Sequence, residues 1–386
     1  MNNFIIISFI ILSASNVYAQ SNQTQNTFRG RDFLTPADFN FPVRIYAWEV
    51  SGDEPFIDKN NNFKIGLFYN YSSAEKYFDS DGEKGMVKES FNQYNKPGET
   101  GGYFRKHGAV VFFQYSFAKL NKLVIRFPFT FTEMKSYSST TDVKPQPEFI
   151  KPRGPFQDIE ISYTRKINIG KKTDLYGGLG ISLPTSRPKR YLDNPHGGNG
   201  NTWTTNLNAY VSYKLRSIRI TAGAKYLLKL PHSEELYTPR PFGIGYPFLY
   251  DTANITAEQM NNYIEQNPYE AGIESGSQII ADGVFDYITK IGFSATLHFQ
   301  YFNSTGDKFD KEIPFEFARV NGNITAIKFI NELDGGSIGI IRIYLNQNFE
   351  KIAGAKFDFT LGYGQSLFGK NAQGEANILM GIRGYF

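Results

Sequence analysis

From Phe63 to the terminal Phe386, apolar residues recur at every second position in run after run. This spacing belongs to β-strands, whose successive side chains point to opposite faces. Phe63, Ile65, Leu67, Tyr69 and Tyr71 share one parity, as do Ala109, Val111, Phe113, Tyr115 and Phe117. Leu123, Ile125, Phe127, Phe129 and Phe131 follow after the short Lys119–Lys122 connection, then Ile159, Ile161 and Tyr163, and Leu175 to Leu183. Trp203 to Leu215 continues the series, and beyond Arg216-Ser217 the parity becomes even, with Ile218, Ile220, Ala222, Ala224, Tyr226 and Leu228. Tyr287 to Tyr301 reads as one long strand; Ile341 to Leu345 and Ala353 to Tyr363 come after it. The closing run puts Ile378, Met380 and Ile382 on one face and Asn377, Leu379, Gly381 and Arg383 on the other, and ends on an aromatic residue.

Segments of about 10–15 residues suit tilted membrane strands, whereas soluble strands average about 5–6. Connections also alternate: tight near 119–122, 168–171, 215–217 and 348–351, long and rich in Gly, Pro and Asn over 72–104, 133–156, 184–201 and 230–284. Short inner turns with long external loops are the habit of outer-membrane barrels. A terminal strand running to the last residue is expected where it must pair with the first and leave no edge in hydrocarbon. The pattern predicts an all-β fold: a transmembrane, antiparallel, up-and-down β-barrel of about twelve strands. Tyr69, Tyr71, Tyr213, Tyr226, Tyr287, Tyr301 and Tyr363 fall at strand ends, where an aromatic girdle belongs.

The count has one weak stretch. Lys311 to Leu333 reads as a single strand kinked at Asn321-Gly322, although Asn-Gly is also the strongest short hairpin signal. Phe41 to Val50 could add a strand, so ten and fourteen stay open. Within the 230–284 loop, Thr256 to Gln259 fits a helix-capping box with Ile255 and Met260 as its staple, and Pro268 ends the run. A short loop helix is expected there, as a surface element or as a lid over the outer mouth.

The apolar run Phe4–Leu12 followed by Val17-Tyr18-Ala19 reads as a signal peptide, residues 1–19, cleaved after Ala19. Its n-region, Met1-Asn2-Asn3, lacks Lys and Arg. Residues 20–60 then form a polar periplasmic segment and 61–386 the barrel, which places the chain in a Gram-negative-type outer membrane. The partners implied are outer-membrane lipid, small solutes and, through the C-terminal strand, the barrel-assembly machinery. The 386 residues carry a net charge of +4 and no Lys/Arg block, so nucleic acid is not a partner. A mean hydropathy of −0.38 argues against helical spans. With no cysteine, disulfides, thiol catalysis and thiolate metal sites are excluded.

Catalytic patterns are missing as well. Of four histidines, His107, His196 and His232 fall at a strand end or in loops, and His298 faces inward between Thr296 and Gln300. No nucleophile elbow, zinc helix or phosphate loop is present, and His196 to Gly200 reads as a flexible turn. No catalytic, cofactor or metal residue is assigned. A lipid hydrolase would need a Ser/His or Asp/His pair at the rim, and none stands out.

The inward parity collects Lys64, Arg126, Lys166, Lys214, Arg219, Lys225, Lys290, Arg342, Lys356 and Arg383 against Asp158, Glu160, Asp358 and Glu375. Lys or Arg facing mid-membrane lipid costs about 2–4 kcal/mol, so these groups belong inside. They act either as a basic lining that attracts anions or as a ladder of salt bridges that braces a filled barrel. Arg126, Asp158, Glu160, Lys225, Lys290, His298, Arg342, Lys356, Asp358 and Arg383 are the predicted pore-lining set. Gly177, Gly178, Gly180, Gly362 and Gly364 favour space over filling.

Asp158-Ile159-Glu160-Ile161, Leu183-Pro184-Thr185 and Gly198-Asn199-Gly200-Asn201-Thr202-Trp203 together resemble the outer-membrane barrel family named for the meta-pathway of phenol degradation. The resemblance covers about residues 105–230 and the terminal strand. Gln157 and Ser186 stand where that pattern has Gly, and 230–284 has the character of an insertion. The family implies a barrel admitting small hydrophobic or aromatic compounds. The expected function is passive uptake or exchange of small solutes, anionic or aromatic, by a monomer. The alternative is a non-transporting surface protein whose long loops serve adhesion or partner binding.

Overall fold

The computed structural model describes Ile57 and most of residues 63–386; outside it lie 1–56, 58–62, 87–102, 136–155, 186–201 and 237–248, with breaks of one to three residues elsewhere. The expected signal peptide, the periplasmic segment, the Phe41–Val50 strand and His196 therefore fall outside the described residues.

The strands in chain order are β1 (Phe63–Phe78), β2 (Lys84–Met86), β3 (Tyr103–Phe117), β4 (Asn121–Lys135), β5 (Ile159–Asn168), β6 (Thr173–Leu183), β7 (Thr204–Leu215), β8 (Ile218–Lys229) and β9 (His232–Leu236). They continue with β10 (Leu249–Tyr250), β11 (Tyr269–Glu274), β12 (Gln278–Ile288), β13 (Phe293–Ser304), β14 (Lys308–Val320), β15 (Asn323–Glu332), β16 (Gly336–Ile352), β17 (Ala355–Lys370) and β18 (Ala372–Tyr385). The barrel wall takes β1, β3 to β8, β12, β13 and β16 to β18, each antiparallel to its neighbours, and β18 pairs with β1 to close it. Closure runs from Lys64↔Tyr385 to Phe78↔Ala372, and the Phe386 amide donates to the Phe63 carbonyl at 3.0 Å. No barrel strand leaves a free edge in the membrane.

The expected parity holds around the wall. Leu67, Leu179, Leu207, Ile220, Leu297, Ile343, Leu361 and Ile382 point outward and are exposed, while alternate positions are buried inside. Such an apolar exterior on a closed barrel is a lipid-facing surface, and the chain is an outer-membrane protein. Ring contacts cluster at both ends of the wall. Tyr69, Tyr71 and His107 meet at one, with the Tyr69 hydroxyl 2.7 Å from His107 Nδ1; Tyr115, Phe117 and Tyr163 meet at the other.

Two strands differ from the sequence expectation, and the differences cancel in the count of twelve. The run from Tyr287 to Tyr301 is not one strand. β12 ends at Ile288, the Thr289 hydroxyl donates to the Phe293 carbonyl at 2.9 Å, and β13 leads away. The odd parity persists through this turn, which conceals it. β12 is also masked because Ile280 and Val284 face inward while Ile279 and Phe285 face outward, blurring the alternation.

Conversely, Lys311 to Leu333 is no wall strand. It belongs to the hairpin β14–β15, turning at Asn321 (φ 51°) and Gly322 (φ 83°). Both central residues lie in the left-handed region, as a primed turn requires, and Asn-Gly adopts it at little cost. The hairpin joins β9, β10 and β11 in a second sheet built wholly from the β8–β12 and β13–β16 connections. The turn expected at 348–351 falls later, because β16 continues to Ile352.

The predicted loop helix is visible in part: Gln259, Asn262, Tyr263 and Gln266 are helical, and the rest of that segment lies outside the described residues. Ile255 is buried, and the Tyr263 ring meets Phe317 of β14 edge-on at 5.8 Å. Tyr263 thereby packs on the second sheet.

Candidate functional site: the barrel interior

Strand register and alternation bring the inward side chains of twelve strands together, and their character changes with height. At mid-height Phe68, Val110, Phe112, Val124, Tyr176, Tyr210, Val284, Tyr344 and Leu379 form one apolar cluster, none more than 3% exposed. Aromatic rings make up most of this collar. A second inward cluster of Leu227, Ile280, Phe302, Ile338, Ile340 and Ala372 lies toward the long-loop end.

Three collar rings sit on glycines directly opposite in register: Phe112 on Gly66, Tyr210 on Gly223 and Tyr344 on Gly362. A Cβ built on any of these glycines would collide with the facing ring. The glycines thus shelve the rings against the wall. The room expected along Gly178, Gly180, Gly362 and Gly364 is taken up by Asn208, Asn206, Tyr344 and Arg342; only Gly177 faces open space, and it is not on the inward parity.

Charged groups inside the barrel are paired across strands. Arg126 donates to Glu160 at 2.8 Å, Lys166 meets Asp174 at 2.9 Å, Arg219 meets Asp286 at 2.7 Å and Arg383 meets Asp358 at 2.5 Å. Asn348 also donates to Asp358, at 2.5 Å. The salt-bridge ladder therefore describes the interior better than an unopposed basic lining. Sequence reading missed three of its carboxylates. Asp174 begins a strand, and Asp282 and Asp286 lie on the strand hidden by blurred alternation.

Asp282 is the centre of a buried network. It accepts from the Tyr210 hydroxyl at 2.9 Å and from Gln300 Nε2 at 2.8 Å, and His298 Nε2 lies 2.8 Å from its Oδ1. Arg342 in turn donates to Gln300 Oε1 at 2.5 Å. Four strands, β7, β12, β13 and β16, are tied together where His298 and Gln300 had been expected merely to face inward.

Of the predicted pore-lining set, Arg126, Asp158, Lys225, His298, Arg342, Asp358 and Arg383 are buried inside and Glu160 is half-buried. Lys356 is inward by register but exposed, opposite Tyr385 at the tight-turn end. Lys290 falls in the sequence between β12 and β13 and lies outside the described residues.

No protein-family model matches the sequence, and no curated protein is similar to it. Among solved structures, an outer-membrane channel from Pseudomonas putida F1 superposes with a TM-score of 0.55 at 13% identity, over 87% of this chain and 98% of that one. NanC porin (TM-score 0.37, 6% identity, 82% and 98% covered) and the toluene transporter TbuX of Ralstonia pickettii (0.37, 8%, 84% and 90%) are likenesses too slight to carry an argument. At such identity the first likeness is one of architecture: this chain shares the fold of an outer-membrane channel.

Proposed function

We propose that the barrel is a passive channel for small solutes with an apolar or aromatic body, admitted through the mid-height collar. The observation that carries this reading is the collar itself. Bracing alone does not call for aromatic rings shelved on glycines between charged layers. The fold shared with a known outer-membrane channel and the sequence resemblance to barrels of the meta-pathway type both support it. Arg126, Lys225, His298, Arg342 and Arg383 then border the route, with Glu160 and Asp358 offsetting their charge. Lys356, exposed at the tight-turn mouth, tunes ion preference there.

Planar-bilayer recording and solute-swelling assays on the purified chain test the proposal. Phe112→Ala and Tyr344→Ala should raise conductance by enlarging the collar, and Lys356→Glu should shift selectivity toward cations. Wild type and collar variants that alike pass neither ions nor solutes would defeat it.

A second reading rests on the second sheet, formed wholly from long connections. A structured platform built from long connections suits display to a partner, since recognition concentrates on loops held by a rigid scaffold. Ser304 and Gly336 are register partners, so residues 305–335 can be replaced by a tight turn without breaking the wall. Lost partner binding with unchanged permeability favours display; altered conductance makes the sheet part of the channel.

A further inference from the structure

The tight turns that join β3 to β4, β5 to β6 and β7 to β8 are stitched side by side. The Lys166 amide donates to the Leu120 carbonyl and the Lys214 amide to the Lys172 carbonyl, each at 2.8 Å. Asn121 and Arg165 are register partners, so Arg165 lies level with the first of these turns. From β4 to β8 the arc spans about 20 Å at the usual strand spacing. Residues 113–125, 161–176 and 211–222, which build it, carry nine Lys or Arg and a single carboxylate, Asp174.

Asp174 does not neutralise this surplus. It is buried and already held by Lys166 at 2.9 Å and Lys214 at 3.2 Å, and Arg219 is taken by Asp286. Lys119, Arg165, Lys172 and Arg216 stay exposed and engage no carboxylate among the described residues. Turn geometry does not account for them either. Lys119 (φ 59°) and Arg216 (φ 53°) are left-handed, where Gly, Asn or Asp would fit more readily than a long cation.

Arg165 identifies the partner. Thr164 and Lys166 are buried inside, so Arg165 points outward with Tyr163 and Ile167. Ile167, nearer the turn, is 50% exposed, so the guanidinium stands within the rim of the lipid-facing band. It lies at the end of the wall where the rings of Tyr115, Phe117 and Tyr163 meet. A solute inside the barrel does not reach this face, whereas lipid headgroups do. Tight turns lie on the inner side of such barrels, and aromatic side chains settle at headgroup level.

We infer that this arc is a docking surface for anionic phospholipid of the inner leaflet, with the headgroup phosphate on Arg165 and Lys119, Lys172 and Arg216 around it. A guanidinium matches a phosphate with two parallel hydrogen bonds. A zwitterionic headgroup offers the same phosphate but brings a cation into a basic arc, so the anionic lipid is preferred. This property is separate from solute passage and does not depend on the channel reading.

The test is native mass spectrometry of the detergent-solubilised full chain with phosphatidylglycerol or phosphatidylcholine of identical acyl chains. Each cation near an anionic lipid surface favours association about fivefold, so phosphatidylglycerol should be retained about tenfold or more over phosphatidylcholine. Arg165→Gln should lower that ratio about threefold or more, and adding Lys119→Gln should lower it further, while Arg165→Lys keeps most of it. Lys308→Gln removes one exposed charge from the second sheet instead, and should leave the ratio unchanged. All four positions are exposed, and heat-modifiable gel migration checks that each variant is folded.

Equal retention of the two lipids by wild type, or an undiminished preference in Arg165→Gln, overturns the docking surface. An equal fall in Lys308→Gln means that net charge alone is read, and overturns it too. Glycerol phosphate in tenfold excess should leave the bound lipid in place. Its displacement would make the arc a site for soluble anions and overturn the assignment to lipid.

Discussion

Substituting Gly66 by alanine asks whether the glycine shelves shape the collar. The added Cβ would overlap the Phe112 ring, which is fully buried among Phe68, Val110 and Val124. The ring has to move off the wall against the other collar side chains, and overpacking of this kind costs about 1–3 kcal/mol. At about 2 kcal/mol the folded-to-unfolded ratio falls roughly 30-fold. Gly177→Ala is the matched control, because a Cβ there meets nothing within 4 Å. Relief of unfolded-chain entropy should make that change neutral or stabilising by about 0.4–1 kcal/mol. Urea unfolding in detergent, followed by the fluorescence of lipid-facing Trp203 and by heat-modifiable gel migration, reports both. Phe112→Leu should absorb the strain, so the double variant with Gly66→Ala should be more stable than the sum of the single changes by about 1 kcal/mol or more. Equal shifts for the two glycine variants, or strict additivity of Gly66→Ala with Phe112→Leu, would show that the shelf is not sterically required.

Two further outcomes follow from the interior and the wall. Asp282→Ala strands Tyr210, His298 and Gln300 in the buried network, and removing one partner of a buried ionic cluster costs about 3–5 kcal/mol; an unfolding midpoint within about 1 kcal/mol of wild type would refute that role. Ile343→Lys places a charge on the lipid face beside the tolerated inward Arg342 and should destabilise by about 2–4 kcal/mol in vesicles. Wild-type stability of Ile343→Lys would mean that the outward face of β16 is not in lipid.

The alternation of apolar residues determined by itself that the chain forms a membrane barrel. A lipid-facing strand disfavours charge on one side near mid-membrane, and this constraint is local and readable wherever the other side is polar, as along Phe63–Tyr71 or Ile378–Arg383. It fails where the interior is itself apolar. Val284 looks inward to the collar and Ile280 to the second apolar cluster, so β12 loses its alternation, and its first residues, Asp282 among them, read as part of the 230–284 loop. Asn321-Gly322 carried the right hairpin signal, and only the full set of pairings shows that β14 and β15 leave the wall. What the sequence could not contain is the company each inward group keeps. Strand pairing and register decide that Arg126 meets Glu160, that Phe112 rests on Gly66, and that His298 meets Asp282. Those contacts join residues far apart in the chain, and interior charge and shape emerge only when the wall closes.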